Sequence, residues 1–203
     1  MEIETVIAPN WIYAFSDYQQ MYELTETDLK KKILDFSAGI ASFNAEAHAQ
    51  HHTVISLDAA YQFSEAQMKA HAQQLLHMVI AQLKENPARL QNPSSTQLQQ
   101  VLSRFEKTQH LFLRDYASGK LAKRYQSITL PRLPFATQEF QLALCTDFIF
   151  HHALSQNKIQ TVLHELARVA EEVRIFPLLN SAGKMPESLG PLMLYFQQKK
   201  IRH

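Results

Sequence analysis

Residues Ile33-Leu34-Asp35-Phe36-Ser37-Ala38-Gly39-Ile40-Ala41-Ser42-Phe43-Asn44-Ala45-Glu46, ILDFSAGIASFNAE, decide the fold. Ile33 and Leu34 read as a short apolar strand that ends at Asp35. Ser37 to Ala41 is a turn of small residues, and Ser42 to Gln50 follows as a short helix. Thr53-Val54-Ile55-Ser56-Leu57 is then a second strand, apolar and β-branched, ending at Asp58. Strand, turn, helix and strand make a βαβ unit, which implies a parallel sheet with right-handed crossovers.

The rest of the chain extends that pattern. Before it, residues 9–32 form an N-terminal helical and aromatic segment, with Trp11, Ile12, Phe15, Tyr18, Met21 and Tyr22 at roughly helical spacing and Thr25 and Thr27 as N-caps. After it, residues 64–118 form a helical insertion. Its first helix spans 64–85, with Leu75, Leu76, Val79, Ile80 and Leu83 as an apolar stripe and Ser64/Gln67 in a capping-box pattern. A loop with two prolines covers 86–95. A second helix runs from 96 to 117, closed by Ser118-Gly119. Both stripes are read as core. Strands are expected at Tyr125–Leu130, Phe140–Cys145 and Val173–Leu179, and helices at Ile159–Ala170 and Ser188–Lys199.

The bulk numbers bound the function. The 203 residues, 46% of them hydrophobic, suit one domain over 1–203. Lys plus Arg (20) nearly cancels Asp plus Glu (19), so the overall charge asks for neither nucleic acid nor an anionic membrane. The run Lys30-Lys31-Lys32 reads as a solvated helix end. The N-terminus MEIETVIAPN is acidic and lacks the apolar core of a signal peptide, and no apolar run approaches the ~20 residues of a membrane span. A cytoplasmic location is therefore expected. Cys145, the one cysteine, rules out an intramolecular disulfide. His51-His52 and His151-His152 are adjacent pairs whose members face apart, so no metal site is indicated.

In a doubly wound sheet, ligands bind outside the carboxyl ends of the strands. Three carboxylates stand at or just past those ends: Asp35, Asp58 and Asp147. An acidic residue closing the second strand is the usual holder of a ribose diol. The first turn is not a G-x-G-x-x-G fingerprint, because Gly39 is its only glycine. A nucleoside without a pyrophosphate needs less backbone contact than a dinucleotide, so one glycine among small residues suffices for close approach. An ordinary tight turn is the plainer reading of the same residues.

ILDFSAGIASFNAE followed by VISLDAAY resembles the first two motifs of class I S-adenosylmethionine-dependent methyltransferases. SITLPRLPFATQEFQLALCTDFIFHH is similar to the third and fourth motifs, and HELARVAEEVRIFPLL to the following helix and fifth strand. The order of NWIYAF, ILDFSAG, SFNAE and EVRIFPLL looks like a small group of bacterial methyltransferase-like proteins. The resemblance covers about residues 9–180. It implies an α/β fold: a Rossmann-like, doubly wound, mainly parallel sheet with helices on both faces and a two-helix insertion after the second strand. It implies S-adenosylmethionine as cofactor, with Asp35, Ser37 and Gly39 at its methionine end and Asp35 near the ammonium group. Asp58 would accept the ribose hydroxyls, with Ala59 against the adenine and Thr129 and Leu130 flanking it. Cys145, Thr146 and Asp147 would lie beneath the sulfonium. Tyr13, Trp11 or Phe15 would be a lid, packing on the sheet edge being the plainer reading.

Departures from the family pattern are clear. The turn has one glycine where two or three are usual, Phe140-Gln141 replaces F-D, and Glu171-Glu172 replaces a Pro-Gly-Gly turn. The usual terminal antiparallel strand pair has no counterpart before Ile201-Arg202-His203, so the sheet is shortened or the sequence truncated. A fifth strand without that pair leaves an edge that a second subunit would cover in a homodimer.

Methyl transfer needs alignment and, for many acceptors, proton removal. Asp147, His151 and His152 are the candidate bases, against the plainer reading of the histidines as an exposed helix start. Three functions are open: a methyltransferase of a small-molecule acceptor; a non-catalytic relative that binds S-adenosylmethionine or a protein partner; and a nucleic-acid methyltransferase, which the balanced charge and the absence of N-P-P-[YFW] after the fourth strand disfavour.

Overall fold

The computed structural model describes residues 12–85, 95–128, 130–150, 154–180 and 182–198. Among these, β1 (Ile33–Phe36), β2 (Val54–Asp58), β3 (Tyr125–Ser127), β4 (Phe140–Thr146) and β5 (Ala170–Phe176) form one all-parallel sheet in the order β3-β2-β1-β4-β5. The order reverses between β1 and β4, which makes their carboxyl ends the switch point of a doubly wound, Rossmann-like fold.

Helices cover both faces. α1 (Phe15–Met21), α2 (Glu26–Leu29) and α3 (Phe43–Ala49) lie on one face, where Phe15, Tyr18, Tyr22, Leu29 and Phe43 pack on Ile33, Val54, Leu142 and Leu144. α6 (Gln156–Val169) and α7 (Leu189–Gln198) lie on the other, over Leu34, Phe36, Leu57, Ala143 and Cys145. The two-helix insertion is α4 (Glu65–Glu85) and α5 (Ser95–Leu121), which build a third apolar cluster with Tyr61 and Tyr125 beside β3. Among the described residues no helix is long and apolar enough to cross a membrane.

Several expectations hold locally. The Ser64 hydroxyl accepts from the Gln67 amide (3.4 Å), while the Gln67 side chain accepts from the Ser64 amide (2.9 Å), closing the capping box before α4. Thr25 caps α2 through the Asp28 amide. Others need correction. Gly119 does not stop α5, which runs on to Leu121. A Cβ at Gly119 would stand 2.4 Å from Tyr125 Cε2, so this glycine serves close packing of a ring rather than a turn. β1 continues past Asp35 to Phe36, β3 ends at Ser127, and β5 begins at Ala170, directly from the end of α6. Lys31 and Lys32 are not merely solvated: Lys31 pairs with Asp28 (2.7 Å) and Glu172 (3.1 Å), and Lys32 with Glu139 (2.9 Å). The expected loop at 86–95, apart from its last residue, lies outside the described residues.

Candidate functional site at the carboxyl edge

Register aligns the strand ends. Phe36 pairs with Leu57 on one side and Cys145 on the other, so Ser37, Asp58 and Thr146 follow at one level. The turn after β1 is sharp: Ser37 has φ 61 and Gly39 φ 58. Both lie in the left-handed region, which glycine enters freely and serine only under tertiary constraint. That constraint comes from β2. The Ala38 amide donates to Leu57 O (3.1 Å), and the Gly39 amide donates to Asp58 Oδ2 (2.9 Å). Asp58 Oδ1 meanwhile accepts from the Ala60 amide (2.9 Å), capping the 3-10 turn Ala59–Gln62. The Tyr61 hydroxyl from that turn donates back to Gly39 O (2.8 Å). The ends of β1 and β2 are thus stitched into one rigid rim by a single carboxylate and one tyrosine.

Asp35 occupies a different place from the one expected. Its carboxyl is 1% exposed and points into the face beneath α1, where protein donors take it up. Tyr18 OH donates to its Oδ1 (3.0 Å) and Ser56 Oγ to its Oδ2 (2.9 Å). Behind Ser56, Asn44 Nδ2 donates to the serine hydroxyl (3.0 Å), and Arg124 Nη1 donates to Asn44 Oδ1 (2.6 Å). Ahead of Tyr18, Thr146 Oγ1 lies 3.4 Å from the Tyr18 hydroxyl and 2.9 Å from that of Tyr22. A polar chain therefore runs inside an aromatic layer in which Tyr18 stacks on Phe43 at 4.2 Å.

Burial dominates the electrostatics. Desolvation pushes the Asp35 carboxyl up to about 7, against the lowering effect of its Ser56 and Tyr18 hydrogen bonds, and the charge of Asp58 adds to the rise. Asp58, partly exposed, is also raised by burial, while the Ala60 and Gly39 amides and the charge of His71 hold it down. The imidazole of His71, which meets the Phe63 ring at 5.4 Å, is shifted down by burial.

The β4 end completes the rim. Asp147 is 1% exposed, has φ 49, and gives its amide to Phe176 O (2.8 Å). Tyr13 hydrogen-bonds its carboxyl; burial, followed by that charge, drives the Tyr13 hydroxyl far above its ordinary value and keeps it a donor. Cys145 is fully buried on the opposite face, and burial holds its thiol protonated. Leu130 sits in the same core. Neither side chain lines the rim, so Cys145 can contribute backbone alone. Ala59 stands partly exposed as the first residue of the 3-10 turn. Thr129, His151, His152 and Trp11 lie outside the described residues.

The structure thus brings Asp35, Ser37, Gly39, Asp58, Thr146 and Asp147 to one edge. Sequence reasoning missed Tyr18, Ser56, Asn44 and Tyr61. The one available signal was Ser56, a polar residue inside an apolar strand and level with Asp35.

No family model matches the chain. An uncharacterised protein of Methanocaldococcus jannaschii, MJ0045, is 28% identical over 191 residues, covering 91% of this chain and 84% of its own. That archaeal likeness carries no activity, and it lends nothing to the expected bacterial grouping.

Proposed function

We propose that the protein binds S-adenosylmethionine across the carboxyl ends of β1, β2 and β4 and transfers its methyl group to a small-molecule acceptor. The observation that carries this reading is the clamp of the Gly39 amide on Asp58 at the end of an all-parallel sheet. It leaves the partly exposed Asp58 with spare lone pairs on both oxygens, which a ribose diol can donate to. Ser37, Gly39 and the backbone of Cys145 and Thr146 would flank the methionine end, and Ala59 the base. Asp35 acts from behind, holding Tyr18 and Ser56, rather than as a direct contact. Transfer would be an in-line displacement. The cofactor would supply an electrophilic methyl group to the acceptor's lone pair, and Asp147 would take the acceptor's proton. The near balance of charge favours a small acceptor over nucleic acid.

A second reading, a non-catalytic binder, draws on the same geometry: Asp35 and Asp58 already accept two protein donors each. Calorimetry with S-adenosylmethionine and S-adenosylhomocysteine tests both. Binding of the two, with label transferred from a methyl-labelled cofactor into a cell-extract acceptor, supports catalysis. Binding without transfer leaves the second reading, and no heat at millimolar ligand ends the first.

A further inference from the structure

We propose that the outer edge of β5 is a self-pairing surface, joining the same edge of a second copy antiparallel about a two-fold axis through Val173. Among the described residues β5 ends the sheet, with β4 on one side and no strand on the other. Its hydrogen-bond phase is set by one contact. Phe176 O accepts from the Asp147 amide on the β4 side, so the residues of the same parity, Glu172 and Arg174, also direct their backbone groups inward. Glu171, Val173 and Ile175 then present theirs outward, a row with no strand beside it among the described residues and of the kind that recruits another.

The sequence of this edge is complementary to itself. A two-fold through Val173 sets Val173 against the partner's Val173, Glu171 against the partner's Ile175, and Glu172 against the partner's Arg174. The first two pairings are of the hydrogen-bonded type and would supply about six backbone bonds. The third sets opposite charges face to face twice, on the face where Glu172 and Arg174 already form a cluster with Lys31 and Asp28. The neighbouring registers that keep this hydrogen-bond phase, two residues away on either side, would oppose Glu172 to the partner's Glu172 or Arg174 to the partner's Arg174, so the charges favour this one.

A second observation points the same way. Among the described residues, five of the seven exposed large apolar side chains follow β5: Leu178, Leu179, Met185, Met193 and Leu194. α7 turns Leu189, Leu192 and Phe196 to the core and leaves Met193 and Leu194 in solvent. Exposed apolar side chains in the segment that follows an open edge strand are surface of the kind an isologous interface buries. The occupant is a second copy because the charge pattern of the strand answers its own reversal. The proposal is independent of any ligand at the carboxyl edge.

Sedimentation velocity of the full chain is expected to give twice 23.4 kDa. Val173→Pro removes an outward N–H and leaves the β4 ladder intact, a position where an edge strand tolerates proline; it should yield a monomer with unchanged circular dichroism. Val173→Cys, air-oxidised, should migrate at double mass in non-reducing gels, because the two Cα atoms would stand about 5.5 Å apart. The native Cys145 is buried and supplies no background. A wild-type chain that stays monomeric at millimolar concentration, a dimer that survives Val173→Pro, or a dimer whose Val173→Cys form does not cross-link would each overturn the proposal. So would a wild-type monomer that pairs through this edge with a different protein alone.

Discussion

The buried carboxyl of Asp35 makes stability depend on pH in a direction opposite to most surface carboxylates. Its folded value is about 7, against 3.8 for the free group, and it is 1% exposed. The folded state therefore keeps a proton that the unfolded chain has already released. As pH rises from about 4 to 7, the unfolded state gains charge freely while the folded state resists, so stability falls and then levels off above the folded value. A rise from 3.8 to about 7 is worth about 4 kcal/mol in total, of which about 3 kcal/mol falls between about pH 4.5 and 7.5. Other groups act in the same experiment. Asp28, Glu165 and Glu172 are held low by ion pairs and lose their contribution only on acidification below about 4.5, outside this window. Asp58 runs with Asp35, and His71, held low by burial, runs against it. The remedy is a difference measurement. Urea unfolding of wild type and Asp35→Asn at four pH values gives a stability difference from which the common groups cancel. The difference should move by about 3 kcal/mol toward the variant as pH rises from about 4.5 to 7.5. A difference constant with pH would show that Asp35 titrates normally, and the reading of a buried neutral carboxyl would fail.

Other substitutions probe the same geometry. Asp58→Ala should weaken S-adenosylhomocysteine binding by about 1–3 kcal/mol, read by calorimetry, and unchanged affinity would remove Asp58 from the site. Tyr18→Phe removes a donor to Asp35, so it should move the pH midpoint of the Asp35 transition upward and cost about 1 kcal/mol; an unmoved midpoint would deny that contact. Gly119→Ala drives a methyl against the Tyr125 ring and should lower stability by about 1–3 kcal/mol, measured by thermal unfolding; unchanged stability would show that the ring leaves room for a side chain.

The alternation of strands and helices was legible because strands buried on both faces carry apolar runs that stand out between turn residues. VISLD and FQLALCT are such runs, and each became a strand within a residue of its expected limits. β5 was read three residues late because its first half is Glu171-Glu172, charged residues that an edge strand tolerates and a buried one would not. Gly119 was read as a helix end because sequence does not distinguish a glycine that frees the backbone from one that makes room for a neighbour. At the site, the three carboxylates were visible as residues at strand ends, yet the direction of Asp35 was not. Its partners Tyr18 and Ser56 lie 17 and 21 residues away; the register of β1 on β2 brings in Ser56, and the packing of α1 on the sheet brings in Tyr18.

Charge selects among the ligands this rim could hold. Asp35, Asp58 and Asp147 converge where many doubly wound proteins receive a phosphate on a turn of backbone amides. Here the amide of Gly39 is already spent on Asp58, and the turn has no second glycine to present others. A nucleotide phosphate would meet the partly exposed Asp58, with Asp35 and Asp147 buried behind the rim, and little compensation, and its charge would raise Asp35 further. A ligand that is a nucleoside with positive charge at its other end meets the reverse. Its cation lowers the cost of ionising Asp35 and so recovers part of the free energy that burial takes from the empty protein. The carboxyl adds the capacity to become charged when a cation enters, and perturbed groups of that kind gather at functional sites. The same physics that makes Asp35 a liability to the folded chain would favour the sulfonium nucleoside of the proposed function over a phosphate.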